Sequence, residues 1–262
     1  MEMKKNVFAL ALCAVLSLSL LSACGGKESA TIKVGASPTP HAQILEVAKE
    51  ILAKDNITLE IVPYDDYVLP NTNVEDGQLD ANYFQHITYM NNFNTNDGTH
   101  LVSVADLHYE PFGIYAGKSA SLDALPDGAQ IAIPDDPTNG GRALLLLQEQ
   151  GLIKLKDGVG LEPTVEDIAE NPHDYKIKQL TANLLTTTLQ DVDVAVINGN
   201  YAIGAGLKAS EALAIESADG IAGTAYVNVL AVKEGRENDE TIKALIKALT
   251  SDEVKAFIDE TY

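Results

Sequence analysis

The stretch from Gln130 to Gly151 constrains the chain more than any other. Residues 130–133 form a short apolar run that predicts a buried strand. Pro134 and Pro137 break the chain into a loop, and Ala143-Leu144-Leu145-Leu146-Leu147 carries a helix that ends near Gly151. The same grammar opens the chain. Thr31–Ala36 reads as a strand, and Ile44, Leu45, Val47, Ala48, Ile51 and Leu52 recur at helical spacing. Leu59–Val62 then reads as a second strand. Short apolar strands alternating with amphipathic helices predict an α/β fold with mainly parallel sheets between helices. A chain of 262 residues, 46% hydrophobic and 21% charged, is long and apolar enough for one large or two smaller cores.

The loop between strand and helix also has a chemistry. Thr138 or Asn139 is placed to cap the helix, Gly140 and Gly141 leave its first turn bare, and Arg142 adds a permanent cation. Free N–H groups, the positive end of a helix and a guanidinium together suit a carboxylate or phosphate. An ordinary strand–loop–helix joint with a surface arginine would read the same way. No Gly-Lys-Ser/Thr follows, and no Gly-x-Gly-x-x-Gly is present, so nucleotide chemistry lacks its apparatus.

Residues 1–23 read as a targeting segment, with Lys4 and Lys5 ahead of an apolar run from Val7 to Ala23. Leu21-Ser22-Ala23-Cys24 resembles a bacterial lipobox, which predicts cleavage before Cys24 and its lipidation. Residues 24–30 would then be a flexible tether, and the protein would be anchored by lipid on the extracytoplasmic face of the cell membrane. A membrane-spanning helix is the alternative for the apolar run. The net charge of −20 opposes nucleic acid as a partner, because phosphate backbones recruit basic surfaces.

Aromatic residues crowd residues 64–93, where Tyr64, Tyr67, Tyr83, Phe84, Tyr89 and Phe93 fall. Asp80-Ala81-Asn82-Tyr83-Phe84-Gln85-His86 is too polar for a core strand and predicts a strand end that runs into a cleft. A half-buried strand whose aromatics merely pack is the alternative. Pro111 and Gly113 interrupt the strand pattern of 101–118, as a segment crossing between lobes would. Residues 164–170 read as a short helix and 239–258 as one amphipathic helix. Asp191–Ile197 reads as a buried strand closed by Asn198-Gly199-Asn200. Amides at a strand's C-terminal end can hold a ligand, or can serve only the turn. Asn228 stands alone among apolar residues of a strand over 226–232, and a buried amide requires partners.

The five histidines, His41, His86, His100, His108 and His173, show no metal-ligand spacing, and no Gly-x-Ser-x-Gly elbow occurs. His41 and His108 read as structural. The expectation is a protein that is not an enzyme and needs no cofactor.

Four runs carry a resemblance to a known family: Val34-Gly-Ala-Ser-Pro-Thr-Pro-His41, Leu79-Asp-Ala-Asn-Tyr-Phe-Gln-His86, residues 131–151, and Asp193-Val-Ala-Val-Ile-Asn-Gly-Asn-Tyr-Ala202. They resemble, in order, the methionine-binding lipoproteins of ABC uptake systems, the NlpA-type family. The resemblance implies a two-lobe, periplasmic-binding-protein-like fold of type II. Lobe one would comprise 31–112 and 228–262, and lobe two 113–227. It also implies methionine in the cleft and an ABC permease and ATPase complex as partner. Tyr67, Tyr83, Phe84 and His86 would surround the ligand's side chain, and Asn228 would contact its amino-acid group. Asn139, Arg142 and Asn198 complete the expected ligand site, and the expected state is a monomer. Phe112 stands where the family often has methionine. Another amino-acid derivative, a short peptide or a metal ion remains an alternative ligand.

Overall fold

A computed structural model of the chain describes residues 29–219 and 222–262. The expected leader, Cys24 and the tether up to Glu28 lie outside the described residues. The chain begins with β1 (Ala30–Ala36), α1 (Gln43–Lys54), β2 (Ile57–Pro63), α2 (Leu69–Glu75), β3 (Ala81–His86), α3 (Ile87–Asp97) and β4 (Leu101–Tyr109). It crosses to β5 (Gly113–Ala116), β6 (Gln130–Pro134), α4 (Pro137–Glu149), β7 (Lys154–Leu155), β8 (Ile168–Glu170), β9 (Lys176–Leu180), β10 (Val194–Ile197), α5 (Gly199–Gly204) and β11 (Ala214–Ile215). It returns through α6 (Ala222–Ala225) to β12 (Val227–Lys233), α7 (Glu240–Leu249) and α8 (Asp252–Thr261).

Two five-stranded sheets result, in the orders β2-β1-β3-β12-β4 and β11-β5-β10-β6-β9. In each, two pairings are parallel and two antiparallel, so the sheets are mixed rather than mainly parallel. The physical reason is the double crossing. β12 enters the first sheet from the side of the second, opposite in direction to β3, and β5 likewise lies antiparallel to β10. The core of the first half joins Ile32, Val34, Leu230 and Val232 of the sheet to Leu45, Ala48 and Leu52 of α1 and Leu245 of α7. In the second half Ile131, Ile133, Val194 and Val196 pack on Leu144 and Leu147 of α4. Each such Leu or Ile is essentially solvent-free and contributes about 1.5–3 kcal/mol of transfer free energy. Among the described residues no helix is long and apolar enough to cross a membrane.

Four local expectations are corrected. α4 is capped by Asp136, whose carboxylate accepts from the Asn139 N–H; Thr138 and Asn139 lie inside the helix. Residues 164–170 are one 3-10 turn (Val165–Asp167) and then β8, because pairing with β7 gives the backbone of 168–170 its partners. The C-terminal helix is two helices. Ser251 caps the second by accepting from the Val254 N–H, which ends the first at Leu249. β3 is a central strand with all six residues buried. Its amides are satisfied by one another: Asn71 Oδ1 accepts from Asn82 Nδ2 (2.8 Å) and Gln85 Nε2 (2.7 Å), and Asn71 Nδ2 donates to Gln85 Oε1 (2.9 Å).

A cavity between two sheets

The C-terminal ends of β3 and β10, the crossing segment after β4, the start of α4 and the beginning of β12 converge on one narrow cleft. Tyr67, Phe84, Gln85, His86, Tyr89, Glu110, Phe112, Asn139, Arg142, Asn198, Gly199, Asn200 and Asn228 line it. Groups from both halves bond across it. Tyr67 Oη donates to Asn200 Oδ1 at 2.6 Å, the Tyr67 and Tyr201 rings stack at 5.0 Å, and His86 Nε2 lies 3.1 Å from Asn139 Oδ1.

The orientation of the amides follows from the groups whose chemistry is fixed. Asp136 can only accept, so Asn139 turns its Nδ2 to both carboxylate oxygens (3.0 and 2.9 Å). Asn139 Oδ1 then faces inward, where it accepts from Asn198 Nδ2 at 2.9 Å and from His86 Nε2. His86 Nδ1 accepts from the Tyr89 N–H that opens α3, so its proton sits on Nε2. Burial, and then the Arg142 cation, pushes the His86 pKa down to about 3, and the ring is neutral. With its amide nitrogen committed, Asn198 presents Oδ1 away from Asn139. That buried atom, like Tyr226 Oη, has no hydrogen-bond partner among the described residues.

A second network meets this one at Glu110. His41 Nδ1 lies 2.5 Å from Ser37 Oγ, and its Nε2 lies 3.0 Å from Asn228 Oδ1 and 3.2 Å from Glu110 Oε1. His108 Nδ1 lies 2.6 Å from Tyr83 Oη, and its Nε2 lies 2.8 Å from Glu110 Oε1. Both rings are consistent with a hydroxyl donating to Nδ1 and Nε2–H donating to oxygen. Burial pushes His41 down to about 4. Burial alone would raise the Glu110 carboxyl, but the two histidines and Arg142 outweigh it and hold it below the usual range. The sequence register explains the meeting, because Asn228 of β12 pairs with His86 of β3 on one side and His108 of β4 on the other. The register shifts on either side of Val229, where Phe84 of β3 and Leu107 of β4 stand as extra residues opposite β12. Ligand atoms of His41, His108 and Glu110 also lie within 4.8 Å of one another, a grouping that could hold a metal ion and that linear spacing conceals.

Arg142 is buried between the rings of Phe112 and Tyr226, each 4.2 Å from its Cζ. Its Nε and Nη2 bind Glu216 at 2.5–3.1 Å, and Nη2 also donates to the Glu110 carbonyl at 2.8 Å. One guanidinium therefore ties together both segments that pass between the sheets, while Nη1 stays outside these bonds.

The NlpA lipoprotein family model matches residues 32–262. The chain belongs to the NlpA lipoprotein family. It is 42% identical over 261 residues to the D-methionine-binding lipoprotein MetQ of Escherichia coli strain K12, covering 97% of this chain and 94% of that one. The fold matches that of lipoprotein Tp32 from Treponema pallidum, with a TM-score of 0.85 and 41% identity over 90% of this chain and 97% of that chain. It also matches a nutrient-binding protein from Burkholderia cenocepacia bound to methionine, with a TM-score of 0.84 and 42% identity over 88% and 96% of the two chains.

In this NlpA lipoprotein, seven of the eight residues expected at the ligand site line the cavity: Tyr67, Phe84, His86, Asn139, Arg142, Asn198 and Asn228. Tyr83 does not. It is buried in the core of the first half and bonds His108, while the register with β12 slips at the next residue, Phe84. Sequence reasoning missed Glu110, Gln85 and Tyr89 in the lining, and Glu216 as the partner of Arg142, while Asn200 is one of the strand-end amides read above. For Glu110 a signal existed: it sits between two aromatic-rich runs, next to Pro111 and two residues after His108.

Proposed function

We propose that this NlpA lipoprotein is the substrate-binding protein of an ABC uptake system and captures methionine in the cavity between its sheets. The observation that carries the proposal is the composition of that cavity's lining. Phe84, Tyr67 and Tyr89 form an aromatic cluster in its lining. Arg142, the Asn198 and Asn228 amides and His86 line the same space. An aromatic box suits a polarizable thioether, at about 0.3–1.5 kcal/mol per sulfur–ring contact. Amides and a guanidinium suit the zwitterionic end. Asn228 spends Oδ1 on His41, so its Nδ2, together with Arg142 Nη1, is the donor set for a carboxylate. The name of MetQ and the methionine of the Burkholderia neighbour support the same ligand.

The two sheets are then two lobes, 31–112 with 228–262 and 113–227, that close on the ligand by hinge motion. Cys24 is the lipid anchor that holds the receptor on the extracytoplasmic face of the membrane. The loaded, closed monomer delivers its ligand to a permease and ATPase complex. Substrate capture needs no catalysis.

Calorimetry on protein refolded free of ligand tests the proposal. Methionine is expected to bind stoichiometrically, unchanged by a metal chelator and with no new product by chromatography. Loss of binding on chelation would instead favour a metal-dependent site at His41, His108 and Glu110. Absence of amino-acid binding would overturn the proposal.

A further inference from the structure

His41 stands in the turn between β1 and α1, and His108 and Glu110 at the end of β4, yet their ligand atoms lie within 4.8 Å of one another. His41 Nε2 and His108 Nε2 both face Glu110 Oε1, at 3.2 and 2.8 Å. Asn228 Oδ1, from the start of β12, lies 3.0 Å from His41 Nε2. Two imidazole nitrogens, a carboxylate oxygen and an amide oxygen are thus gathered in one place. A four-coordinate zinc ion with bonds of about 2.0–2.2 Å keeps its ligands about 3.3–3.5 Å apart. The three separations fall short of that by about 0.1–0.5 Å, a shift that small side-chain rotations supply. The rings are also held from behind as zinc-binding histidines are. His41 Nδ1 meets the Ser37 hydroxyl, and His108 Nδ1 meets the Tyr83 hydroxyl at 2.6 Å. A hydroxyl accepts as readily as it donates, so each ring can carry its proton on Nδ1 and turn the Nε2 lone pair inward. Charge calls for a cation at the same place. Glu110 is buried, its Oε1 faces two imidazoles, and the nearby Arg142 guanidinium is paired with Glu216. Buried carboxylates are stabilised by a paired cation or by a metal ion.

We propose that His41, His108, Glu110 and Asn228 form a binding site for a zinc ion, beside the methionine cavity and independent of it. Two nitrogen and two oxygen ligands suit zinc, and they disfavour calcium and magnesium, which take oxygen ligands. The ion joins the turn after β1, the end of β4 and the start of β12, and so acts as a structural clamp on the first half. The ion-free chain keeps the hydrogen bonds described above. Asn228 turns Oδ1 the same way in both forms, toward His41 Nε2–H or toward the ion, and its Nδ2 keeps its direction. Methionine binding therefore survives a chelator, while the fold loses the clamp.

The test uses the full-length protein, treated with a chelator and then dialysed, with the metal ions alone as probes. Zinc is expected to bind at one ion per chain by calorimetry, and at 100 times its Kd to raise Tm by about 5–10 °C. Cobalt is expected to take the same site, to be displaced by zinc, and to show the strong visible absorption of four-coordinate Co2+. His108→Gln keeps a polar side chain between Tyr83 and Glu110, and is expected to lower zinc affinity about tenfold or more. His100→Gln and His173→Gln remove the exposed histidine–carboxylate pairs with Glu75 and Asp127, and are expected to leave zinc affinity within about threefold. A parent protein that binds no zinc overturns the proposal, and this arm needs no variant. So does a folded His108→Gln that keeps the parent's zinc affinity, or loss of zinc in either surface variant. Methionine affinity is expected to agree within about threefold with and without zinc, and a larger difference overturns the independence of the two sites. Absence of methionine binding in both states defeats the receptor reading and leaves the metal site standing.

Discussion

At the scale of single residues the site is governed by protons and charge pairs held out of water. His41 and His86 have pKa values pushed down to about 4 and about 3, against an ordinary 6.5, chiefly because burial penalises the cation. In the unfolded chain both take up protons as pH falls through about 6.5, whereas the folded chain resists until about 4 and below. The unfolded state thus binds more protons across this window, and stability rises with pH there. With two groups the expected slope is about 2–3 kcal/mol per pH unit between pH 6 and 5, as read from urea midpoints. His86→Gln is expected to remove about half of it; a parent protein equally stable at pH 5 and 6.5 would contradict this. Arg142 illustrates the opposite hazard. Arg142→Ala would strand Glu216 as a buried lone carboxylate, a loss of about 3–5 kcal/mol in stability, so weakened binding in that variant does not isolate a ligand contact.

At the scale of elements the decisive one is α4. Its first turn carries Asn139 and Arg142 to the cavity because Asp136 caps it and because Gly140 and Gly141 let it approach other backbone closely. A Cβ on Gly141 would lie 2.7 Å from the Glu162 Cα and 2.9 Å from the Leu161 carbonyl oxygen, both backbone atoms that cannot swing aside. Gly141→Ala is therefore expected to cost about 1–3 kcal/mol by overpacking, lowering the denaturant midpoint with an unchanged m-value. A neutral substitution would show that the 161–163 segment yields freely. β12 plays the complementary part: it pairs on both sides and so brings Asn228 between His86 of β3 and His108 of β4.

At the scale of the whole molecule, the bonds between the halves among the described residues are polar. Tyr201 Oη donates to the Asp65 carbonyl at 2.9 Å, Asn183 Nδ2 to the same carbonyl at 3.3 Å and Asn92 Nδ2 to Glu162 at 3.2 Å, besides the Tyr67–Asn200, His86–Asn139 and Arg142–Glu110 contacts. Polar contacts of this kind open at modest cost, and a ligand bridging both walls closes them. Methionine at 100 times its Kd is expected to add about 2.7 kcal/mol of stability, which for a chain of this size raises Tm by about 5–10 °C. The radius of gyration from solution scattering should fall on addition. A stabilised protein of unchanged radius would mean that the ligand enters a site already closed.

The α/β class, the strand–helix alternation and the place of most cavity residues were legible in the sequence. They rest on local causes: apolar periodicity, proline and glycine breaks, and polar residues at strand ends. Val194–Ile197 followed by Asn198 is legible for that reason. What only the tertiary structure decided are the relations between residues far apart in the chain. Nothing local distinguishes Tyr83 from Phe84; one is buried in the core with His108, and the other, the residue at which the pairing with β12 slips, lines the cavity. Asn82 and Gln85 looked too polar for a core until Asn71, from a neighbouring helix, satisfied them. Arg142 read as a free cation, yet Glu216 lies 74 residues away and faces it across the segments between the sheets. Glu110 was passed over because its partner His41 comes from a distant part of the chain, and only the fold brings it beside the neighbouring His108. Hydrogen bonds and ion pairs act over about 3 Å of space whatever the separation in sequence, and only folding sets that distance.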